Sequence, residues 1–360
     1  MSSDLEYERE TTDAIAVETP GVRRVTAADA EPTFDVGYDE AVGRRLRRTI
    51  TETTLSSPAR SIFEGLDVGG RREFVWQWIY HVCGETLTLP EVPEDRRDAV
   101  QETRFFAAAF TTLMDDLAEK DGDGRAFWEL ARATLPDQSP DEAVLAASGD
   151  TVRAAQRALE GLLDRFQAAP NGPTLQFALL FDLRACLVAM DHARVTATVP
   201  GLNNRADGWT YETIAIGALP FFHVDLAYGP AIDADEYGRF RELLAECERL
   251  WRIGNWVTTW RRELTEGDVS AAIFQEAMRN GVVDREELLA AEHAASDRRA
   301  IAERITESGI PDSFVQDFRD RRDRLREIDY GLSTYDSNGP IDAMEALVRS
   351  HLAIEDHRLD

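Results

Sequence analysis

The chain has 360 residues, 43 % of them hydrophobic, enough for a sizeable core in one large domain or two ordinary ones and too many for a disordered chain. Its 67 acidic residues against 40 basic ones leave a net charge of −27, a surface that repels nucleic acid and anionic membranes and argues against both as partners. A single lysine, Lys120, means that 39 of the basic residues are arginine, and acid excess with almost no lysine is the composition expected in a salt-rich cytoplasm, where the Debye length shrinks to roughly 3 Å in molar salt.

Met1 to Glu18 carry no basic stretch followed by an apolar one, so no secretory signal is read and a cytoplasmic location is expected. Residues 1–36 are acidic, with scattered proline and few large apolar side chains, and read as a solvated, flexible tail. From 37 to 360 the chain reads as one all-α domain. Helical periods recur over 40–53, 58–66, 70–83, 93–118, 125–135, 141–168, 174–197, 210–228, 233–264, 268–280, 284–308, 311–328 and 340–354. Glycine and proline mark the breaks, at Gly69-Gly70, Pro136, Pro170 to Pro173, Pro200-Gly201, Pro311 and Gly339-Pro340 among others. No alternating strand pattern, internal repeat or low-complexity segment interrupts them. No apolar run reaches the roughly 20 residues of a membrane span, so no membrane insertion is expected. Cys83, Cys186 and Cys247 are far apart with no CxxC spacing, and read as small buried apolar groups.

Two clusters carry chemistry. Asp115-Asp116-Leu117-Ala118-Glu119 ends a strongly apolar helix. Asp115 and Glu119 share one face at i and i+4, with Asp116 about 100° round. Hard oxygens gathered at the rim of a dry cavity suit a divalent cation, but an acid-rich protein also puts such residues where a helix reaches solvent. Downstream, Asn255, Thr259 and Glu263 stand at i, i+4 and i+8, within about 80° of one face and spanning about 12 Å. An amide oxygen, a hydroxyl and a carboxylate can together hold Mg²⁺ and leave positions for water and phosphate; the same face can also be ordinary polar surface.

The two clusters stand 140 residues apart. As a pair they resemble the DDxx(D/E) and (N/D)Dxx(S/T)xxxE motifs of class I terpene synthases, which sit at a similar separation on two facing helices. The resemblance covers about residues 37–355. It implies an all-α class I terpene synthase (isoprenoid synthase) bundle around a central apolar cavity. It further implies three Mg²⁺ ions held by Asp115, Asp116 and Glu119 on one side and by Asn255, Thr259 and Glu263 on the other. Arg262 matches the family's basic residue that contacts the diphosphate. The stretch Ile253 to Leu264 is similar to ent-kaurene-synthase-like diterpene synthases. Three departures stand out. Trp256 replaces the frequent second acid. Tyr211 to Gly217 holds no arginine where many bacterial members carry a diphosphate sensor, leaving Arg184 or Arg205 for that part. The expected C-terminal Arg-Tyr pair reads Thr334-Tyr335, keeping only Tyr335.

Within that resemblance the apolar run Ile214 to Phe222, broken by Gly217 and Pro220, either frees a carbonyl toward a carbocation or is a simple packing kink. Phe106, Phe110, Phe177, Phe181 and Trp251 either line a cavity where their π faces hold cationic intermediates or form ordinary core. Asp233-Ala234-Asp235-Glu236 faintly resembles the DxDD acid of class II cyclases but fits a helix N-cap better. The six histidines show no paired spacing. The expected activity is Mg²⁺-dependent ionisation and cyclisation of a prenyl diphosphate, C20 before C15, with release of pyrophosphate. The alternatives are a sesquiterpene synthase, a prenyl-chain elongase or squalene/phytoene-type enzyme, and a non-catalytic halophilic scaffold or ligand-binding protein. An elongase needs a second DDxxD, which the chain lacks. Expected partners are the prenyl diphosphate, an upstream prenyl diphosphate synthase or class II cyclase, and a second copy in a homodimer.

Overall fold

The structure is a computed structural model that describes residues 33–68, 73–119, 123–199, 202, 204–290 and 295–354. These residues fall in one unit, Glu31–Asp360. Among them there are helices and no strands. In chain order the α-helices are α1 (Glu40–Glu52), α2 (Ser57–Ser61), α3 (Glu73–His81), α4 (Arg97–Glu119), α5 (Gly124–Arg132), α6 (Glu142–Ala147), α7 (Asp150–Ala168), α8 (Gly172–Thr198), α9 (Arg205–Asp207), α10 (Thr213–Ala215), α11 (Ala218–Tyr228), α12 (Ala234–Glu266), α13 (Ala272–Arg279), α14 (Arg285–Ala290), α15 (Ala295–Glu307), α16 (Ile310–Glu327) and α17 (Asn338–Ile354). The periodicity located most of them to within a few residues. It ran α6 and α7 together across the extended Ser148-Gly149 step, and α10 and α11 together across Gly217.

Local chemistry sets the boundaries. Asp39, Asp123, Asp141 and Asp233 accept backbone amides as N-caps of α1, α5, α6 and α12. Asp233 is therefore a cap with Asp235 and Glu236 in the first turn, as the sequence indicated. Gly267, at φ 80°, ends α12 in the left-handed conformation that favours glycine.

The core is continuous. α4 packs along α7 and also meets α8 and α11; α12 packs on α11, α16 and α17. Arg104 on α4 and Asp225 on α11 form a fully buried ion pair at 2.5 Å. Arg104 also donates to the Cys83 carbonyl, and Asp225 accepts the Leu89 amide, so the pair pins the π-helical turn Val82–Thr86 after α3. The three cysteines are buried and free.

One expectation needs correction. Residues 33–36 are anchored rather than solvated: Phe34 and Val36 are buried, Phe34 packs edge-on against Phe318 at 5.1 Å, and Arg322 and Arg349 donate to the Asp35 and Val36 carbonyls. Residues 1–32 of that tail lie outside the described residues. Gly172–Thr196 of α8 is long and apolar enough to cross a membrane by length and composition alone, a test that core helices also pass.

Candidate active site

A cavity of about 550 Å³ lies among α3, α4, α8, α11, α12 and α17. Its lining combines apolar Trp78, Ile79, Phe221 and Leu347 with polar Asp115, Arg252, Asn255, Arg262 and Glu263. Such a volume, with polar groups converging on it beside apolar walls, can hold a small molecule.

α4 carries Phe105 to Leu113 into the core and delivers Asp115 to the cavity half-buried. Asp116 is buried beside it. Glu119 ends the helix, with its side chain outside the described residues. From α12, Asn255 and Glu263 reach the same cavity, and Thr259 joins them from one turn between. Thr259 Oγ1 is 2.7 Å from the Asn255 carbonyl oxygen and 2.6 Å from Glu263 Oε1. One hydroxyl proton cannot go to both. Burial, reinforced by Asp268, pushes the Glu263 carboxyl up to about 8. Thr259 Oγ1 gives its proton either to the Asn255 carbonyl or to Glu263 Oε1. Glu263 Oε2 is left buried without a hydrogen-bond partner.

Among the described residues no three His, Cys, Asp or Glu side chains are gathered closely enough to hold a metal. The α12 set, however, is an amide, a hydroxyl and one carboxyl. Its orphaned Glu263 Oε2, the Asn255 Oδ1 and the Thr259 Oγ1 are hard oxygens on one face of α12, the donor chemistry that a divalent cation takes. Arg262 lines the cavity but gives Nη1 to Glu266 at 2.5 Å.

Other residues singled out from the sequence lie elsewhere. Phe177 and Phe181 are 74 % and 57 % exposed on the outer face of α8, so neither lines the cavity; Phe181 packs under Arg241 instead. Phe106 turns toward α7, with Arg165 over its ring at 4.0 Å, and Phe110 is fully buried in the core. Tyr335 stacks on Phe240 and donates its hydroxyl to the Pro230 carbonyl at 2.9 Å, away from the cavity. Arg184 is spent on the Thr134 carbonyl and Arg205 on Glu276. Trp251 does line the cavity, paired with Phe221 at 5.6 Å. Gly217, at φ 73°, makes the break before α11. Of the two breaks expected in this run, at Gly217 and Pro220, the one at Gly217 occurs, and Pro220 sits in the first turn of α11 without breaking it.

The sequence reading missed Arg252 and Glu212. Arg252 Nη1 donates to Asn255 Oδ1 at 3.0 Å, and Nη2 donates to Glu212 Oε2 at 2.8 Å. Trp256 Nε1 donates to the same Glu212 oxygen at 3.0 Å. The available signal was an acid inside Tyr211 to Gly217, together with a cation three residues before Asn255.

No protein-family model and no curated protein matches the chain. Solved structures do. Linalool/nerolidol synthase from Streptomyces clavuligerus in complex with 2-fluorogeranyl diphosphate aligns with TM-score 0.56 at 12 % identity, over 87 % of this chain and 98 % of that one. 2-Methylisoborneol synthase from Streptomyces coelicolor A3(2) aligns with TM-score 0.53 at 13 % identity, over 94 % and 93 %. Abietadiene synthase from Abies grandis aligns with TM-score 0.57 at 12 % identity, over 88 % of this chain but only 38 % of that one. At such identities the likeness speaks for architecture alone: the chain has the all-α fold of class I terpene synthases.

Proposed function

We propose that the chain is a Mg²⁺-dependent class I terpene synthase that ionises an allylic prenyl diphosphate, geranylgeranyl diphosphate in preference to farnesyl diphosphate, and cyclises or rearranges the cation. The observation that supports this reading is that Asp115 from α4 and Asn255 and Glu263 from α12 line one cavity together with apolar Trp78, Ile79, Phe221 and Leu347. Asp115 and Asp116 would hold metal on one side, and Asn255, Thr259 and Glu263 on the other. Mg²⁺ bound there supplies the positive charge that an ionising diphosphate needs.

The protein's own groups do the rest. Arg262 stands beside Glu263 and offers a guanidinium to diphosphate oxygens once it leaves Glu266. Trp78, Phe221 and Trp251 present ring faces to a hydrocarbon chain and to positive charge within it. The apolar walls bury the chain and keep water from the cation. The test is incubation with farnesyl and geranylgeranyl diphosphates, Mg²⁺ and high salt, followed by gas chromatography of the extract. A terpene hydrocarbon or alcohol formed only with Mg²⁺ supports the reading. Chain elongation would assign a prenyltransferase, and no release of diphosphate would leave a ligand-binding protein.

A further inference from the structure

Glu212 ends the π-helical turn Gly208–Glu212, which packs against α8, and its buried side chain lines the cavity. Two donors from α12 hold it, Arg252 Nη2 at 2.8 Å and Trp256 Nε1 at 3.0 Å, and both fall on Oε2. Among the described residues none donates to Oε1, and Oε1 is not sealed inside the protein as Glu263 Oε2 is. The carboxyl is thus locked through one oxygen while the other opens on the cavity.

The walls beside it are apolar. Ala215 and Ile216 follow Glu212 along the chain and line the cavity, and α8 contributes Ala189, Met190 and Ala193. A carboxyl is costly to bury in such a place, and the guanidinium and the indole N–H compensate Oε2 alone. The other carboxyls around the cavity are engaged. Asp115 and Glu263 stand where metal is proposed, Glu266 holds Arg262, and Asp268 accepts the Ser270 amide. Oε1 of Glu212 is therefore a positioned oxygen with an open lone pair among hydrocarbon walls, which is what a general base acting on carbon needs.

Resting on the function proposed above, we propose that Glu212 is the catalytic base that ends the reaction. When the last cation lies beside it, Oε1 takes a proton from a carbon next to the cationic centre. That C–H bond breaks, its electron pair becomes the C=C bond of a terpene alkene, and the positive charge is discharged. The protonated carboxyl passes its proton to water as the product leaves. Because Arg252 and Trp256 fix Oε2, Oε1 meets one region of the folded hydrocarbon, and the double bond forms at one place.

The test uses the full chain with Mg²⁺ and whichever of farnesyl and geranylgeranyl diphosphate the native protein turns over faster. Products are read by gas chromatography with mass spectrometry, and released diphosphate is measured in the same samples. The native protein should make an alkene as its main product. In Glu212→Gln the amide oxygen can still accept from Arg252 and Trp256, but the amide nitrogen that replaces Oε1 cannot take a proton. The native alkene's share of product should fall at least about 10-fold, with alcohols and isomeric alkenes in its place, while diphosphate is still released. Glu212→Gln also leaves the buried Arg252 charge unbalanced, so Glu212→Asp is measured as well. It keeps the charge and draws the oxygen back by one methylene, and the share should fall at least about 3-fold. Trp256→Phe removes one bond to Oε2 and leaves the base; it should keep the native alkene as its main product. Circular dichroism identifies which variants are folded. A folded Glu212 variant with the native product mixture, an equal shift in Trp256→Phe, or an alcohol as the main native product overturns the Glu212 assignment only. No diphosphate release by the native protein overturns the functional reading and this assignment with it.

Discussion

Glu248 Oε1 accepts the Ala218 amide at 3.0 Å and the Leu219 amide at 3.4 Å, so a carboxyl from α12 caps the N-terminus that the Gly217 break leaves open in α11. Burial pushes Glu248 up to about 8; Asp182 adds to the shift, while the two amides and Arg241 oppose it. Folded, the group keeps its proton to about 8, whereas unfolded it loses it near 4.5. Between those values the folded state binds more protons, so stability falls as pH rises. Glu263, also raised to about 8, acts in the same direction. Buried His223, lowered to about 4, acts oppositely below 6.5, which leaves pH 6.5 to 8 as the clean window. Urea unfolding across that window should show stability falling by up to about 1.4 kcal/mol per pH unit for each such carboxyl. Glu248→Gln should remove its share; an unchanged slope would contradict the assignment.

Gly254 precedes Asn255 where α12 meets α17. A Cβ there would stand 2.5 Å from Val348 Cγ2 in the buried core. Helix propensity alone would make Gly254→Ala stabilising by about 1 kcal/mol. Overpacking costs about 1–3 kcal/mol, so the contact decides the sign and a net loss is expected. Val348→Ala in the same chain should recover most of what Gly254→Ala loses in thermal melts. Simple additivity of the two losses would show that the two side chains do not compete for this space.

Asp115→Ala and Asn255→Ala should each cut turnover by at least about 10³-fold while leaving the helical circular dichroism intact, since an ionising diphosphate without its cations cannot disperse charge. Product formation at native rates by either variant would remove the metal assignment.

Residue spacing made the α12 triad legible, because a period of 3.6 places Asn255, Thr259 and Glu263 on one face whatever surrounds them. The same period gave the helices and Asp115. It could not orient α8, which is apolar on several faces, so Phe177 and Phe181 read as core and lie outside. Nor could it show that Glu212, from the π-helical turn Gly208–Glu212, meets Arg252, since that pairing exists only once this turn and α12 come together. Tyr335 was placed by a motif remnant, and the Pro230 carbonyl takes its hydroxyl instead.

Salt should be needed for folding. Many of the arginines sit in i,i+3 or i,i+4 pairs such as Arg44–Glu40 and Arg299–Glu303, which are exposed and worth about 0.2–1 kcal/mol each at best. They do not offset the repulsion of a net −27 charge when the Debye length is about 30 Å at 10 mM salt. Helical circular dichroism should fall on dialysis to about 10 mM salt and return in molar KCl. A full helical signal at the lower concentration would refute the salt-adapted reading.

Substrate length is the most exposed part of the functional proposal. The proposal of a C20 substrate rests on the expected resemblance of Ile253 to Leu264 to kaurene-synthase-like enzymes. The cavity of about 550 Å³ is lined by apolar groups on α3 and α17, Trp78, Ile79 and Leu347, as well as by Asp115 and Asn255. Burying five more carbons is worth at most about 4 kcal/mol, at about 0.8 kcal/mol per carbon. Only part of that survives the ordering of a longer chain, so an advantage of about 10-fold or more in kcat/KM is expected. Geranylgeranyl diphosphate, or a bicyclic C20 diphosphate supplied by a class II cyclase, should therefore be turned over more efficiently than farnesyl diphosphate. The linear substrate is the simpler of the two, because Asp233 to Glu236 serve as a helix cap and first turn and offer no protonating acid to build the bicycle. Steady-state kinetics with all three diphosphates at saturating Mg²⁺ decides the matter. A higher kcat/KM for farnesyl diphosphate than for both C20 substrates would overturn the diterpene assignment while leaving the ionisation chemistry at Asp115 and Asn255 standing.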